Sequence, residues 1–438
     1  EIACENEGAT LMTVSSEPNA GATFHPASIV YRFCILLSVS LMLVGNYFAY
    51  DSIGALAPLM IEGMQINREA IGMMYSFYSW PNLVMVFVAG LLIDRCGTRA
   101  MSLVFSALIV IGSVMVAAAP AFWLMVVGRA VFGVGAEALI VCQNAILAKW
   151  FKGKELAFSF GLALTFMRLG TLFSFNVEGW IAEAYNSWRV ALWAAALLCV
   201  LSMVFNLLYV FMERKALGQV KLSEAPAGDK IVVSDIKKFG ASYWYITALC
   251  VTFYSAIFPF TAFSTDLFVD KWGYPVITAG RITSILTLAS MILAPILGRV
   301  VDKIGKRGTI MLAGSLMLIP CHLAMGLTEM NPIPAMIVLG FSFSLVPAAL
   351  WPAIPLLVEE RSVGTAFGLM TMVQNFGLAA FPWIIGRLRD ATQHYTAGMV
   401  VFAALGLMGF IFSLLLRRTD AQKGAVLEKV ETPVHAAT

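Results

Sequence analysis

The chain reads Gly90-Leu-Leu-Ile-Asp94-Arg95-Cys-Gly97-Thr-Arg99 after one apolar stretch and Gly298-Arg-Val-Val-Asp302-Lys303-Ile-Gly305-Lys306-Arg307 after another, 208 residues later. Both copies follow one pattern of glycine, aspartate, basic residue, glycine and arginine, and a further apolar stretch follows each of them. Each copy therefore joins two membrane helices, one pair in each half of the chain. A duplicated set of membrane helices is typical of secondary transporters. We call the two copies the hinge loops.

The composition is that of a chain embedded in a bilayer. Hydrophobic residues make up 60% of the 438 residues and charged residues only 13%, whereas soluble domains carry about 25% charged residues. Apolar runs of roughly 20 or more residues recur along the chain, and one such run is long enough to span about 30 Å of hydrocarbon. A single large soluble core is excluded.

Twelve apolar segments predict an all-α membrane protein with two six-helix bundles. The segments are 31–59, 70–93, 100–118, 122–148, 155–181, 188–212, 241–268, 279–301, 309–328, 333–357, 365–387 and 397–416. Residues 31–212 are predicted to form an N-terminal bundle and residues 241–416 a C-terminal bundle. The polar segments are predicted to be a cytosolic N-terminus at 1–30, a cytosolic linker at 213–240 and a cytosolic tail at 417–438, the first and last of them disordered.

The distribution of lysine and arginine predicts the orientation. If the N-terminus is cytosolic, 21 of the 29 basic residues fall in segments on the same side, six fall on the opposite side, and Arg129 and Arg168 lie inside spans. Because positive charge accumulates in cytosolic loops, we expect both termini and both hinge loops in the cytosol. The net charge of +3 reflects this asymmetry and does not indicate nucleic-acid binding.

The motifs absent from the sequence narrow its chemistry. It contains no G-x-x-x-x-G-K-[ST] phosphate loop and no His-Glu-x-x-His pair. The seven cysteines and four histidines show no paired metal-ligand spacing. We therefore expect neither a cofactor nor a metal site, no enzymatic activity, and no direct use of ATP.

The glycines of the hinge loops have a physical rationale. Gly90 and Gly298 permit the close approach of a neighbouring helix, because they carry no side chain. Gly97 and Gly305 permit a positive φ angle where a helix ends.

The charges of the hinge loops point to partners elsewhere. Asp94 and Asp302 lie at helix C-termini, where a carboxylate opposes the helix dipole, so each needs a compensating cation or the N-terminus of another helix. The accompanying basic residues are expected at the anionic membrane surface; they are Arg95, Arg99, Lys303 and Arg307.

At the hinge loops the chain resembles the major facilitator superfamily, and the resemblance extends over residues 31–417. It implies that the hinge loops hold the two bundles in one state of alternating access, with substrate bound between them. Residues 129–135, Arg-Ala-Val-Phe-Gly-Val-Gly, also resemble the fourth-helix motif of that family. The glycine–proline motif of proton-linked drug antiporters is absent from Arg168-Leu-Gly170-Thr-Leu-Phe, so drug export is not favoured.

Ionisable residues inside spans mark candidate sites, because each costs about 2.5–3.5 kcal/mol at a helix centre unless it is paired or solvated. Four stand out: Asp51, Arg129, Glu137 and Arg168. Glu137 and Arg168 lie near the midpoints of the fourth and fifth spans. Asp51 and Arg129 lie about 9 Å nearer the outer side, at 1.5 Å per residue. All four belong to the first half of the chain.

These four residues allow two acid–base pairs, Asp51 with Arg129 and Glu137 with Arg168. Each pair could neutralise itself and hold helices together. A midplane acid and base in a transporter could instead bind the amino and carboxylate ends of a zwitterion. Glu137 could also take up a proton and couple transport to a proton gradient.

Aromatic and amide side chains complete the predicted substrate site. The amides are the stronger candidates, because hydrocarbon offers them no hydrogen-bond partner. The set consists of Tyr47, Tyr75, Tyr78, Trp80, Gln143, Asn144, Tyr254, Trp351, Gln374 and Asn375.

Longer strings resemble the lysosomal dipeptide transporters of the superfamily more closely, in both halves of the chain and in order. They include Tyr78-Ser-Trp-Pro-Asn82, Gly133-Val-Gly-Ala-Glu137, Phe166-Met-Arg168-Leu-Gly170 and Ala349-Leu-Trp351-Pro352. The resemblance implies facilitative uniport of dipeptides, with Glu137 and Arg168 at the positions that engage the peptide ends. It also implies an endolysosomal membrane and a glycosylated accessory membrane protein on the lumenal face. A plasma membrane or a bacterial inner membrane is the alternative.

Two rival functions remain open. One is a proton-coupled symporter of amino acids or other small organic anions. The other is a non-transporting membrane receptor or scaffold, which would need no midplane acid and base.

Overall fold

The computed structural model describes residues 28–151, 155–217, 236, 238–359, 362–422 and 424–429. These residues are almost entirely helical, and no strand occurs among them. The helices are α1 Ile29–Leu41, α2 Val44–Ala55, α3 Ala57–Met64, α4 Arg68–Ser79, α5 Asn82–Ala118, α6 Phe122–Phe151, α7 Leu156–Ala184, α8 Trp188–Ala216, α9 Ala241–Trp272, α10 Val276–Ile304, α11 Arg307–Leu327, α12 Ile333–Leu357, α13 Val363–Thr392 and α14 Thr396–Gln422. A short 3-10 helix, Val426–Glu428, follows and is called the tail helix. Most of the predicted N-terminus and linker lies outside the described residues.

The described helices provide twelve membrane spans. Eleven continuous segments are long and apolar enough to cross a bilayer, and one of them, Arg68–Ala118, covers 51 residues. A straight helix of that length would measure about 76 Å at 1.5 Å per residue, far more than the hydrocarbon thickness. The backbone of Gly97 interrupts it with φ 80° and ψ 156°, so this segment contributes two spans. The predicted number and order of spans are confirmed.

Local sequence signals explain where several helices begin. The Ser28 hydroxyl accepts a hydrogen bond from the Tyr31 N–H at 3.2 Å and caps α1. The side-chain oxygen Oδ1 of Asn67 accepts a hydrogen bond from the Ala70 N–H at 3.0 Å and caps α4. The first predicted span, 31–59, is divided into α1, α2 and α3; Pro58 lies in the first turn of α3, where its missing N–H is tolerated.

The two bundles, α1–α8 and α9–α14, share an apolar core at one end only. We call the end that carries Ile29 and Gln422 the terminal face and the opposite end the distal face. One buried core, which includes Ile35, lies inside the terminal half of the N-terminal bundle. The other is continuous from the distal half of that bundle, for example at Met60, into the C-terminal bundle. The bundles are therefore packed together at the distal face.

Residues 418–422 and 424–429 are more ordered than predicted. Helix α14 continues to Gln422, and the tail helix packs on α11. Glu428 accepts hydrogen bonds from the backbone N–H and the hydroxyl of Thr309, at 3.0 and 2.9 Å, near the N-terminus of α11. Leu427 is fully buried. A carboxylate at a helix N-terminus and a buried leucine are stabilising, so the prediction of disorder is wrong for residues 417–422 and 424–429.

Candidate functional site

A cavity lies between the two bundles near the middle of the spans. Its empty volume is about 350 Å³, open solvent included. Helices α2 and α7 contribute one wall and α9, α10 and α12 the other. The lining residues are Tyr47, Tyr50, Asp51, Arg168, Thr171, Ile257, Phe258, Thr261, Leu286, Thr287 and Phe343. The part of this space that the centre of a water molecule can occupy is only about 20 Å³, so binding of a larger molecule requires the two bundles to separate.

Arg168 of α7 is the charged group of this cavity that lacks a carboxylate partner. Its guanidinium lies 4.9 Å from the ring centroid of Phe343, a residue of the other bundle. No carboxylate of the described residues lies within 4.0 Å of it. A guanidinium over an aromatic ring keeps its N–H donors, which lie in the guanidinium plane, so it can bind a carboxylate with two parallel hydrogen bonds.

Glu137 of α6 also has no cationic partner within 4.0 Å in the described part of the chain. One of its oxygens accepts a hydrogen bond from the Tyr78 hydroxyl at 2.9 Å. Glu137, Arg168 and Asp51 each interact electrostatically with Tyr47, but Glu137 is not one of the residues that line the cavity. The alternative in which Glu137 and Arg168 neutralise each other is therefore not formed, because no ion pair within 4.0 Å joins them.

Arg129 does not pair with Asp51, contrary to the alternative in which the two neutralise each other. It is 2% exposed and lies inside the N-terminal bundle, outside the cavity that Asp51 lines. Its guanidinium carbon is 5.1–5.3 Å from the ring centroids of four aromatic residues. Its N–H groups donate to the carbonyl oxygens of Ala49 and Tyr50 at 3.2 and 3.4 Å. This environment suits a structural cation–π centre.

The C-terminal bundle contributes an aromatic wall. Tyr254 stacks on Phe258 with ring centroids 5.7 Å apart, and Phe258 packs edge-on against Phe343. The Trp351 indole N–H donates to the Tyr254 hydroxyl at 2.8 Å. This wall continues to Phe343, the ring beneath Arg168. Phe258 and Phe343 line the cavity, whereas the predicted residues Tyr254 and Trp351 are not among its lining residues. Phe343 was not predicted, because it lies in an apolar helix without any distinguishing motif.

The predicted amides are mostly engaged in internal contacts. Gln143 is fully buried and donates to the Val39 carbonyl oxygen at 2.8 Å, joining α6 to α1. Asn375 donates to a carbonyl oxygen of its own helix at 3.2 Å. Gln374 accepts from the thiol of Cys250 at 3.6 Å, and Asn144 is exposed. The structure therefore brings none of the four into the lining of the cavity.

The first glycine of each hinge loop is not packed against another helix in this conformation. Gly97 and Gly305 have φ angles of 80° and 67°, as their positions predicted. A Cβ built on Gly90 or Gly298 would meet nothing within 4 Å, so the predicted close approach is not made here. These loops lie at the terminal face, and their open packing agrees with bundles that are separated at that face.

The charges of the two hinge loops differ in their surroundings. Asp302 lies 4.0 Å from the guanidinium of Arg307, which provides the predicted compensation. Asp94 is exposed, and in the described residues it forms no ion pair within 4.0 Å. Arg307 is buried, whereas Arg95 and Lys303 are exposed and Arg99 is partly buried, so the basic residues do not all lie at the surface.

Polar contacts between the bundles concentrate at the distal face around Arg68. Its guanidinium binds Asp266 at 2.7 Å and Asp270 at 3.4 Å, both on α9. Asp390 of α13 accepts from the backbone N–H groups of Arg68 and Glu69 at 3.1 and 2.7 Å, at the N-terminus of α4. A carboxylate is favourable at that position because of the helix dipole. We call these five residues the distal latch.

Replacing Arg68 with alanine is expected to open the distal latch. The variant leaves Asp266, whose side chain is 3% exposed, without its cation, and breaking one partner of a buried pair costs about 2–5 kcal/mol. That loss changes a two-state population by more than tenfold. Spin labels at Glu62 and His394, one per bundle, would report a longer distance in this variant. The exposed Arg281, changed to alanine, is the control, and an unchanged distance in the Arg68 variant would contradict the assignment.

The sequence predicted strongly buried charges only in the first half of the chain, but the second half also contains them. Asp266, Arg307 and Arg389 in the second half are 2–6% exposed. Glu178 in the first half is fully buried and was also missed. Asp266 and Glu178 both lie within predicted spans, so the sequence could have identified them as buried charges. Each is close to a predicted helix end, however, where charged residues are common.

The fold and the cavity can be compared with known proteins. The family model described as Major Facilitator Superfamily matches residues 39–382 and, in a second match, residues 246–438. The chain belongs to the Major Facilitator Superfamily. It is a membrane transporter of this superfamily, and its substrate is a small molecule rather than a macromolecule.

Curated superfamily members of high similarity share one name. "Lysosomal dipeptide transporter MFSD1" of Danio rerio is 35% identical over 411 residues, which cover 91% of this chain and 89% of that protein. The Homo sapiens protein of the same name is 34% identical over 412 residues, covering 91% and 89%. A crystal structure of a bacterial homolog to the human lysosomal transporter Spinster superposes with a TM-score of 0.72 at 15% identity, covering 90% of this chain and 98% of that one. The last comparison supports the fold alone.

Proposed function

We propose that the protein transports dipeptides by alternating access, as a facilitative uniporter. Arg168 binds the carboxylate of the dipeptide and Glu137 binds its ammonium group. The observation that carries the proposal is that Arg168 lines the cavity and Glu137 interacts with the cavity residue Tyr47, while neither charge has an ionic partner within 4.0 Å among the described residues. A zwitterion supplies both missing charges at once. The similarity to proteins named lysosomal dipeptide transporters supports the same substrate class.

The aromatic wall of the C-terminal bundle completes the proposed site. Phe343 contacts Arg168 across the cavity, so the two bundles meet at the residue that would hold the substrate carboxylate. A substrate bound there touches both bundles and can be carried from one face to the other as they rock. In this conformation the distal face is closed, so the site would exchange substrate through the terminal face.

The proposed location follows from the same relatives and from the charge asymmetry. We place the protein in an endolysosomal membrane with both termini in the cytosol, so that the distal face is lumenal. A glycosylated accessory membrane protein on the lumenal face is part of this proposal. The alternatives are a plasma membrane or a bacterial inner membrane, where the distal face would be extracellular or periplasmic.

A thermal-shift screen of dipeptides, free amino acids and sugars tests the substrate class. A ligand that binds only the folded state raises the apparent melting temperature by mass action, corresponding to about 2.7 kcal/mol at a concentration one hundred times Kd. We expect dipeptides to raise the melting temperature and sugars to leave it unchanged. Free amino acids that stabilise the protein as well as dipeptides do would contradict the assignment.

Proton-coupled symport of amino acids or small organic anions is the second candidate. It is favoured by Asp51, a buried carboxylate that lines the cavity and has no ion pair within 4.0 Å in the described residues. Uptake into liposomes with equal pH on both sides separates the two candidates. Uniport continues under that condition to equal concentrations, whereas uptake that collapses without a gradient would favour symport.

A further inference from the structure

Glu178 is a buried acid that the proposed transport site does not use. It lies on α7, six residues before the distal end of that helix, and its side chain is fully buried. One carboxyl oxygen lies 2.6 Å from the Ser52 hydroxyl of α2, and the other has no hydrogen-bond partner. An ionised carboxylate sealed from water with a single donor is strongly unfavourable.

The hydrogen bonds of Ser52 indicate the protonation state of Glu178. The Ser52 oxygen lies 2.8 Å from the Phe48 carbonyl oxygen, one turn earlier in α2, as well as 2.6 Å from Glu178. A hydroxyl has one proton, and a carbonyl oxygen can only accept. Both short contacts are satisfied if Ser52 donates to Phe48 and a protonated Glu178 donates to Ser52. An ionised Glu178 would leave one of the two oxygen pairs without a proton between them.

The charged groups on the surrounding helices do not stabilise an ionised Glu178. Tyr50 and Asp51 of α2 line the cavity, Arg189 of α8 donates to a carbonyl oxygen at 2.7 Å, and Glu183 of α7 and Arg281 of α10 are exposed. Other titratable groups on the helices packed against the distal half of α7 are Arg129 and Glu137 of α6 and Cys199 of α8. No cation lies within 4.0 Å of Glu178 in the part of the chain that the structure describes.

Glu178 lies beside a tight contact between the bundles. A Cβ on Gly280 of α10 would approach the Phe175 carbonyl oxygen of α7 to 2.3 Å, and the Gly179 position lies 3.5 Å from Ile277 of α10. Opening the distal face must separate α7 from α10 at these residues. Water would then reach this segment of α7 and could exchange a proton with Glu178 from the distal side, although the carboxyl group itself faces Ser52 of α2 in the same bundle.

We propose that Glu178 is a proton-binding site that is loaded from the distal side and that favours closure of the distal face when occupied. A proton from distal water bonds to the carboxylate, which becomes neutral and can be sealed between α7 and α2. When the distal face reopens, the same proton returns to the same side. The proton therefore gates the cycle without crossing the membrane. The test of this inference by dipeptide exchange rests on the proposed transport function, whereas the test by distance measurement does not.

Distance measurements on the purified protein test the proton site without a substrate. Spin labels at Glu62 and His394, in a background lacking the native cysteines, report the distal distance at about pH 5 and about pH 7.5. Because the proposed distal-closed state holds one proton more than the distal-open state, the ratio of open to closed protein changes by up to about tenfold per pH unit. The distal-open fraction of the unsubstituted protein should therefore rise towards the higher pH. Glu178→Gln, which keeps a donor for Ser52 but has no charge, should remain distal-closed at both values.

The matched control is Glu183→Gln, an exposed acid on the same helix, which should behave as the unsubstituted protein does. A pH-independent distance in the unsubstituted protein, or an unchanged pH response in Glu178→Gln, would overturn the proposal. In liposomes with equal pH on both sides, dipeptide exchange by Glu178→Gln should lose the pH dependence of the unsubstituted protein. If no dipeptide binds at all, the proposed function fails, but the distance measurement still decides the role of Glu178.

Discussion

Dipeptide uptake into liposomes is expected to fall to background when Arg168 is replaced by alanine. The substitution removes the cation that lies on Phe343 without a carboxylate partner, so a bound substrate carboxylate would be desolvated without compensation. Truncating one partner of a buried, hydrogen-bonded charge pair costs about 2–5 kcal/mol, which corresponds to a loss of affinity of roughly 30-fold to several thousand-fold. Uptake of a labelled dipeptide and its Kd measure the effect.

Glu137→Gln is the companion variant. It preserves an oxygen that can accept from Tyr78 and removes only the charge, so the fold should be retained while the ammonium group of the substrate loses its partner. The controls are Arg281→Ala and Glu183→Gln, which remove exposed charges of the same types. Arg168 or Glu137 variants that transport as fast as these controls, at unchanged melting temperature, would contradict the proposed site.

Replacing Arg129 with alanine is expected to destabilise the folded protein rather than to remove substrate binding alone. The guanidinium is 2% exposed and touches the rings of Tyr50, Tyr75, Tyr78 and Phe132. The variant leaves a cavity among these rings, and truncation of a large buried side chain typically costs about 2–5 kcal/mol. Each lost cation–π contact adds roughly 0.5–2 kcal/mol.

The melting temperature of the Arg129 variant should fall by several degrees without ligand, whereas the Arg168 variant should melt close to the unsubstituted protein. Arg129→Lys keeps the positive charge over the rings and should restore part of the loss, although an ammonium group lacks the planar donors of arginine. An Arg129→Ala protein of normal stability that fails to bind dipeptides would assign Arg129 to the substrate site instead.

The fold was predictable because membrane spans have a simple physical signature. Each of the twelve spans needs a long apolar run, and the two hinge loops marked corresponding places in the two halves. The interruption at Gly97 was readable because a positive φ favours glycine. The kinks within the first predicted span and the order of the tail helix were not readable. They depend on tertiary contacts, such as those of Glu428 with α11, that apolar periodicity does not record.

The site was predictable in part. Charge inside a span is costly, so Asp51, Arg129, Glu137 and Arg168 could be selected from sequence. Whether they pair could not, because pairing depends on which helix faces point at each other. Phe343 could not be distinguished from many other apolar residues. The hydrogen bond of Gln143 could not be predicted, because its partner, a backbone carbonyl oxygen, has no sequence signature.

Binding measurements with end-blocked dipeptides test the central claim most directly. The Kd of a dipeptide and of its C-terminal amide should be measured for the unsubstituted protein and for Arg168→Ala, so that the four values form a double-mutant cycle. We predict that amidation weakens binding to the unsubstituted protein by at least about tenfold, or 1.4 kcal/mol, and has almost no effect on the variant. Equal losses on amidation in both proteins would show that Arg168 does not bind the substrate carboxylate.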